Sequence, residues 1–304
     1  MHPTLLSARL SRRAMGVTCT VTVVGARAPL IAETCLDLVS DLEQLWSRFI
    51  PTSDVCRLND NSGIPTLIDA RTVSLLRHMV AGSEATRGYF NPALLPLQLR
   101  DGDAASLVDG RTSSVPAWAD PELTVATVEF LDDGLVRLPR GLTIDAGGVG
   151  KGHAADMIVA EAVRLGAEAA CVNLGGDMAI SGPSPDGNGW TVEILDPIDL
   201  RTPIADVVVA RGGVATSSMS ARRRRGRGIE RHILRSDGHQ RVPPARGATV
   251  LASTATWAEM WTKAAVLAPR HEAVSALEAA GLAGLIVGHD GSISTTSTWK
   301  DFTR

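Results

Sequence analysis

Aromatic residues are scarce, at 4% of the chain, with one tyrosine, four phenylalanines and six tryptophans. A nucleic-acid surface needs aromatic platforms interleaved with a basic excess. Neither is available: 33 acidic residues face 30 basic ones, for a net charge of -3, so nucleic acid is not expected as a partner. The four cysteines, Cys19, Cys35, Cys56 and Cys171, are scattered and form no CxxC pair. That argues against zinc and against a disulfide framework, and reduced, mostly buried thiols are expected. No stretch approaches the ~20 apolar residues that span a bilayer. The opening segment has arginines but no apolar run long enough for the core of a signal peptide, so the expectations are no membrane partner and a cytoplasmic location.

What is present is ordinary for a globular protein. The chain has 304 residues, 44% hydrophobic and 21% charged. That length supports one large domain or two intimately joined units. We expect a tail over residues 1–14 and one domain over 15–304, the latter open to division into two closely packed subdomains.

Periodicity places the elements. Val17, Cys19, Val21 and Val23 alternate with threonines, the pattern of a half-buried strand over Gly16–Val24. Ile31, Cys35, Leu38, Leu42, Leu45 and Phe49 recur every three or four residues and predict a helix that Pro51 ends. A second helix is expected over Thr72–Arg87, and a hairpin around the Asp132–Asp133–Gly134 turn. Residues 100–123, rich in Asp, Gly, Ser and Pro, read as a surface excursion. A helix over Gly152–Leu165 follows. Short strands come next at Ala170–Leu174, Trp190–Leu195, Asp206–Ala210, Ile229–Leu234 and Ala248–Ala252. Helices at Thr256–Leu267 and His271–Ala280 and a hairpin through Gly288–Gly291 complete the chain. Strands and helices mix without strict alternation, which predicts an α+β fold with mixed sheets and flanking helices. The arginine run Arg222–Arg227 reads first as a solvated loop, with steering of an anionic ligand as the functional alternative.

Three glycine-rich patches carry the chemistry. Thr143–Asp156 combines an acid, Asp145, with four glycines in six residues and Lys151 at a helix start. Glycines permit close backbone approach to a ligand, and a helix start favours phosphate. The spacing fits neither a Walker A loop nor GxGxxG. Asn173–Asp177 and Gly212–Ser218 are the other two patches, each of which could also be a plain turn.

In order and spacing these patches resemble the signature segments of the ApbE family of FAD:protein FMN transferases. The resemblance extends through Ala14–Met15–Gly16, Trp46–Phe49 with Ser53 and Arg57–Asn59, Gly88–Pro92, Arg231–Ile233 and Val250–Lys263. It implies an ApbE-like, T-fold-like architecture. It also implies transfer of FMN from FAD, through a phosphoester bond, to a Ser or Thr hydroxyl in the flavinylation motif of an acceptor flavoprotein, releasing AMP with Mg²⁺. The same site could hydrolyse FAD, or bind it without turnover. The implied FAD-binding residues are Met15, Phe49, Tyr89, Phe90, Asn91, Asp145, Lys151, Ser217 and Ile233. Lys151 and His232 carry implied catalytic roles, His232 as general base, and Gly148 and Glu259 would hold the metal. The sequence departs from the family pattern in four places. Glu259 replaces Asp, Lys263 replaces a Thr ligand, Asn91 replaces Asp, and Arg235–Gly238 replaces an Asp-Pro-x-Thr-Gly tail.

Overall fold

The computed structural model describes residues 6–100, 104–106, 110–197, 199–218 and 243–303. The expected strand Ile229–Leu234 and the run Arg222–Arg227 lie outside them. In chain order the strands are β1 (Ser7–Ala14), β2 (Val17–Val24), β3 (Thr66–Leu67), β4 (Glu129–Phe130), β5 (Leu135–Arg137), β6 (Ala169–Leu174) and β7 (Asp177–Ser181). They continue with β8 (Trp190–Leu195), β9 (Pro203–Val209), β10 (Arg211–Ser218), β11 (Ala245–Ala252), β12 (Ala283–Gly288) and β13 (Ile293–Thr295). The helices are α1 (Ala28–Trp46), α2 (Asp54–Asp60), α3 (Ala70–Ala85), α4 (Leu95–Arg100), α5 (Gly150–Arg164), α6 (Ala255–Leu267) and α7 (Arg270–Ala279).

The expected α+β fold is what forms. Eight strands make one antiparallel sheet in the order β1-β2-β6-β7-β10-β11-β12-β13. A small sheet, β3-β5-β4, and a separate hairpin, β8–β9, flank it. Between β2 and β6 the chain leaves the main sheet to build α1–α5 and the small sheet. Ser7–Ala14, expected as tail, is the edge strand of the large sheet. Its three arginines and largely exposed side chains hide any apolar alternation, and charge on an edge strand also discourages further pairing.

Both faces of the sheet are covered, and alternate residues divide between them. In β12, Ile286 packs with α6 and α7 around Trp261, Leu267 and Leu277. Its neighbours Leu285 and Val287 face the β8–β9 hairpin and Trp299. In β6, Val172 and Leu174 pack toward α1 and α5, and Cys171 toward the hairpin. Two-sided burial explains why β12 reads as the unbroken apolar run AGLIVG.

The α5–α6 contact positions everything described below. A Cβ built on Gly152 would lie 2.4 Å from the Ala255 carbonyl oxygen, so only glycine lets the helices come this close. Asp156, one turn later on α5, accepts the Ala255 and Thr256 amides and so caps α6 across the interface. Next to it His153 is buried, its ring against Trp46 and His78 with centroids 5.6 and 4.6 Å away. Burial, with the nearby His78 adding to it, pushes the His153 pKa down to about 4.

Two outcomes follow for stability. Gly152→Ala should destabilise the fold by about 1–3 kcal/mol in denaturant unfolding, as overpacking of a close contact does. The depressed His153 pKa means that the unfolded chain takes up the proton first as pH falls. Its contribution is therefore complete above the ordinary value of 6.5 and is lost as pH falls toward 4. Between pH 7 and pH 5, wild type should lose about 2 kcal/mol more unfolding free energy than His153→Phe. Parallel pH profiles for the two proteins would refute the assignment.

Candidate active site

One end of the main sheet gathers the three glycine patches. Antiparallel pairing brings the β1–β2 turn, the β6–β7 turn and the end of β10 to the same edge. There the start of α5 and one face of α6 close over them. The result is a cleft of about 480 Å³, within the range of small-molecule sites. Met15, Phe49, Tyr89, Phe90, Asn91, Asp145, Gly148, Lys151 and Ser217 all line it.

Each is held by its local structure. Met15 and Gly16 form a two-residue hairpin turn with φ of 51° and 75°. Positive φ at both turn positions matches the twist of the flanking strands, although it is an uncommon conformation for methionine. The Met15 amide donates to Glu43 Oε1 on α1 at 2.7 Å, which anchors the turn. Phe49 follows α1, half-buried, with the Arg48 guanidinium 4.8 Å from its ring centroid. Tyr89–Phe90–Asn91 follow α3 after a left-handed bend at Arg87 and Gly88. Phe90 is buried, and its ring would stand 3.2 Å from a Cβ on Gly148, so it forms a wall of the site and not an open platform. Asn91 Oδ1 accepts the Ala93 amide at 2.9 Å.

Asp145 ends an extended segment without ladder pairing and caps a 3-10 turn over Ala146–Gly148 by accepting the Gly147 amide. Its amide donates to the Pro92 carbonyl, and Arg48 lies 4.0 Å from its carboxylate. The third patch is a strand, β10, not a turn. Its Ser217 hydroxyl bonds Thr262 on α6 at 2.6 Å.

A buried four-charge cluster forms the floor. Lys151, in the first turn of α5, pairs with Asp177 at the start of β7 and with Glu259 Oε1 on α6 at 2.7 Å. Glu259 Oε2 accepts the Gly152 amide at 2.7 Å, so an α6 carboxylate occupies part of the α5 N-terminus. Lys263, one turn along α6, reaches the same Glu259 Oε1 at 3.1 Å. Burial alone would lower the Lys151 pKa, but Asp177 and Glu259 outweigh it and hold the ammonium above its ordinary value. Burial pushes Glu259 up, and Lys151 with Lys263 more than reverses this, keeping the carboxylate ionised. Asp177 is raised, by burial first and by Glu259 second, and burial lowers Lys263 against the pull of Glu259 and Asp177.

This arrangement does not fit a divalent metal at Gly148 and Glu259. Both Glu259 oxygens are engaged, one by two ammoniums and the other by an amide. The Lys263 Cε lies 3.8 Å from a Cβ built on Gly148, so the lysine stem spans the gap between the two expected ligands. A hard cation there needs free oxygen ligands and would meet two positive charges instead. Among the described residues no three His, Cys, Asp or Glu side chains converge as a metal site.

His232 and Ile233 lie outside the described residues. Two residues that the sequence reading did not single out line the cleft, Asp177 and Arg48. Each sits inside a quoted segment, Asp177 at the end of Asn173–Asp177 and Arg48 between Trp46 and Phe49. Asp177 became identifiable only through its pairing with Lys151. Among the described residues no helix is long and apolar enough to cross a membrane.

Comparison with solved structures finds the same fold. An ApbE protein from Thermotoga maritima is 26% identical, with a TM-score of 0.86, covering 98% of this chain and 100% of the other. The flavin transferase ApbE from Vibrio cholerae, 20% identical, has a TM-score of 0.81 over 98% and 99% of the two chains. The flavinyl transferase ApbE from Pseudomonas stutzeri, 21% identical, has a TM-score of 0.80 over 98% and 97%. No curated protein sequence gives a match. The sequence profile of the ApbE family matches residues 15–286, most of the chain, and the protein belongs to that family.

Proposed function

We propose that the protein transfers FMN from FAD to a Ser or Thr hydroxyl of an acceptor protein. The observation that carries this reading is the convergence of Asp145, Lys151 and Ser217, from three separate segments, on one cleft beside Phe49 and Tyr89. A cleft lined by half-buried aromatic groups and by two ammoniums suits a ligand with a flat ring system and a phosphorylated segment. The flavin transferases of V. cholerae and P. stutzeri share the fold.

In this reading the acceptor hydroxyl oxygen attacks the phosphorus on the FMN side of the pyrophosphate. A new P–O bond forms as the bond to the bridging oxygen breaks. AMP leaves with that oxygen, and the hydroxyl proton passes to His232, whose ordinary pKa suits a base near neutrality. Phosphoryl transfer of this kind depends on positioning and charge neutralisation. Lys151, fixed by Asp177 and Glu259, supplies a positioned ammonium toward the pyrophosphate. The Asp145 carboxylate is available to a ribose or ring donor. No step in this scheme is assigned to a divalent metal.

Incubating the protein with FAD and an acceptor bearing a flavinylation motif should add one FMN to the acceptor by mass spectrometry, with an equal amount of AMP released. Free FMN and AMP, with the acceptor unchanged, would identify hydrolysis instead. His232→Asn should lower the transfer rate by about 10²–10⁴-fold while leaving FAD affinity within about twofold, the signature of a lost base. An unchanged rate would remove His232 from the mechanism.

A further inference from the structure

The charge cluster on the cleft floor pairs two lysines with two carboxylates, so Lys151 is not its only cation. We propose that the Lys263 ammonium is a resident cation occupying the place a divalent metal would take between Gly148 and Glu259, so that the cleft receives a pyrophosphate without one. This deepens the flavin reading above and rests on it for the identity of the ligand.

Three observations support it. First, position: the Lys263 stem passes beside Gly148 and its Nζ ends on Glu259 Oε1, so one side chain bridges the two points at which a metal was expected. Second, donors: an ammonium carries three N–H groups. Lys151 spends two on Asp177 and Glu259, whereas Lys263 spends one on Glu259, and both side chains line the cleft. The remaining donors are therefore available to ligand oxygens. Third, charge: two ammoniums already balance the two buried carboxylates, Asp177 and Glu259. A divalent ion added here would find its anionic ligands neutralised and two like charges within reach. A pyrophosphate finds oxyanion donors fixed in place by buried partners, with no ion to recruit.

A lysine is not equivalent to a divalent ion. It brings one charge where the metal brings two, but it is covalently attached and needs no free concentration in solution. The consequence is a site whose affinity for its anion is independent of divalent cations and depends on Lys263 instead.

Two measurements on the full chain test this. Titration of Mn²⁺ followed by electron paramagnetic resonance should show no stoichiometric binding to wild type. Lys263→Thr, which removes one of the two ammoniums on Glu259 Oε1 and clears the space beside Gly148, should gain a site. FAD affinity, read by flavin fluorescence, should agree within about twofold between EDTA and excess Mg²⁺ for wild type. Lys263→Thr in EDTA should bind at least about tenfold more weakly, with Mg²⁺ restoring part of the loss. Lys263→Gln, which keeps length but not charge, should lose affinity in both buffers, and far-UV circular dichroism checks that each variant is folded. Stoichiometric Mn²⁺ binding by wild type, or a tenfold gain in its FAD affinity with Mg²⁺, overturns the proposal. Failure of wild type to bind FAD in either buffer removes the flavin reading and the ligand half of this inference, while the Mn²⁺ titration still decides the metal half.

Discussion

The site depends on one buried carboxylate. Glu259 is fully inaccessible to solvent, and its two oxygens join three partners from two helices: the Lys151 ammonium, the Gly152 amide and the Lys263 ammonium. A carboxylate in such a place persists only because both of its oxygens are held by donors, since an unpaired buried charge costs several kcal/mol (order of magnitude). The same contacts fix the angle and depth at which α5 meets α6. Stability and site geometry are therefore one property here, and the orientation of Lys151 follows from the helix packing.

The surrounding fold supplies what that pairing requires. Gly152 removes the side chain that would hold the helices apart, and Asp156 caps α6 from α5. On the sheet side, Asp177 begins β7 immediately after the Gly175–Gly176 turn, so the ladder delivers its carboxylate to Lys151. The Ser217–Thr262 hydrogen bond ties β10 to α6. The antiparallel sheet thus contributes its turns and the Asp177 carboxylate to the cleft, while the helices contribute both ammoniums and Glu259. Arg48, stacked over Phe49 and near Asp145, extends the polar wall toward the aromatic end.

The chain keeps the family fold, and two of its departures from the pattern that the resemblance implies, Glu259 and Lys263, fall on one turn of α6. The fold matches solved ApbE proteins over nearly the whole chain. Yet where the resemblance implies a ligand pair for an ion, Glu259 and Lys263 form an internal ion pair. These two departures are side-chain changes on one helix, so the backbone scaffold can be kept while the charge of the site is altered.

Much was legible in the sequence. Alternation in Val17–Val23 and the three-to-four spacing from Ile31 to Leu42 fix β2 and α1, because a side chain's burial follows the period of its own backbone. Glycine placement marked the cleft, since close backbone approaches tolerate little else. What stayed hidden depended on partners distant in the chain. Ser7–Ala14 carries too many arginines to look like a strand and becomes one only because β2 offers an edge. Gly212–Ser218, left open between a ligand loop at a strand end and a plain turn, is a central strand, its small residues needed under α6. The pairing of Lys151 with Asp177 and Glu259 joins residues 26 and 108 positions apart. The sequence by itself determined where glycine and charge fall and, through periodicity, that segments such as β2 and α1 are strand and helix. Only the tertiary structure decided that Lys263 would fill the gap beside Gly148, because a side chain's electrostatic partners are set by how helices and sheet pack.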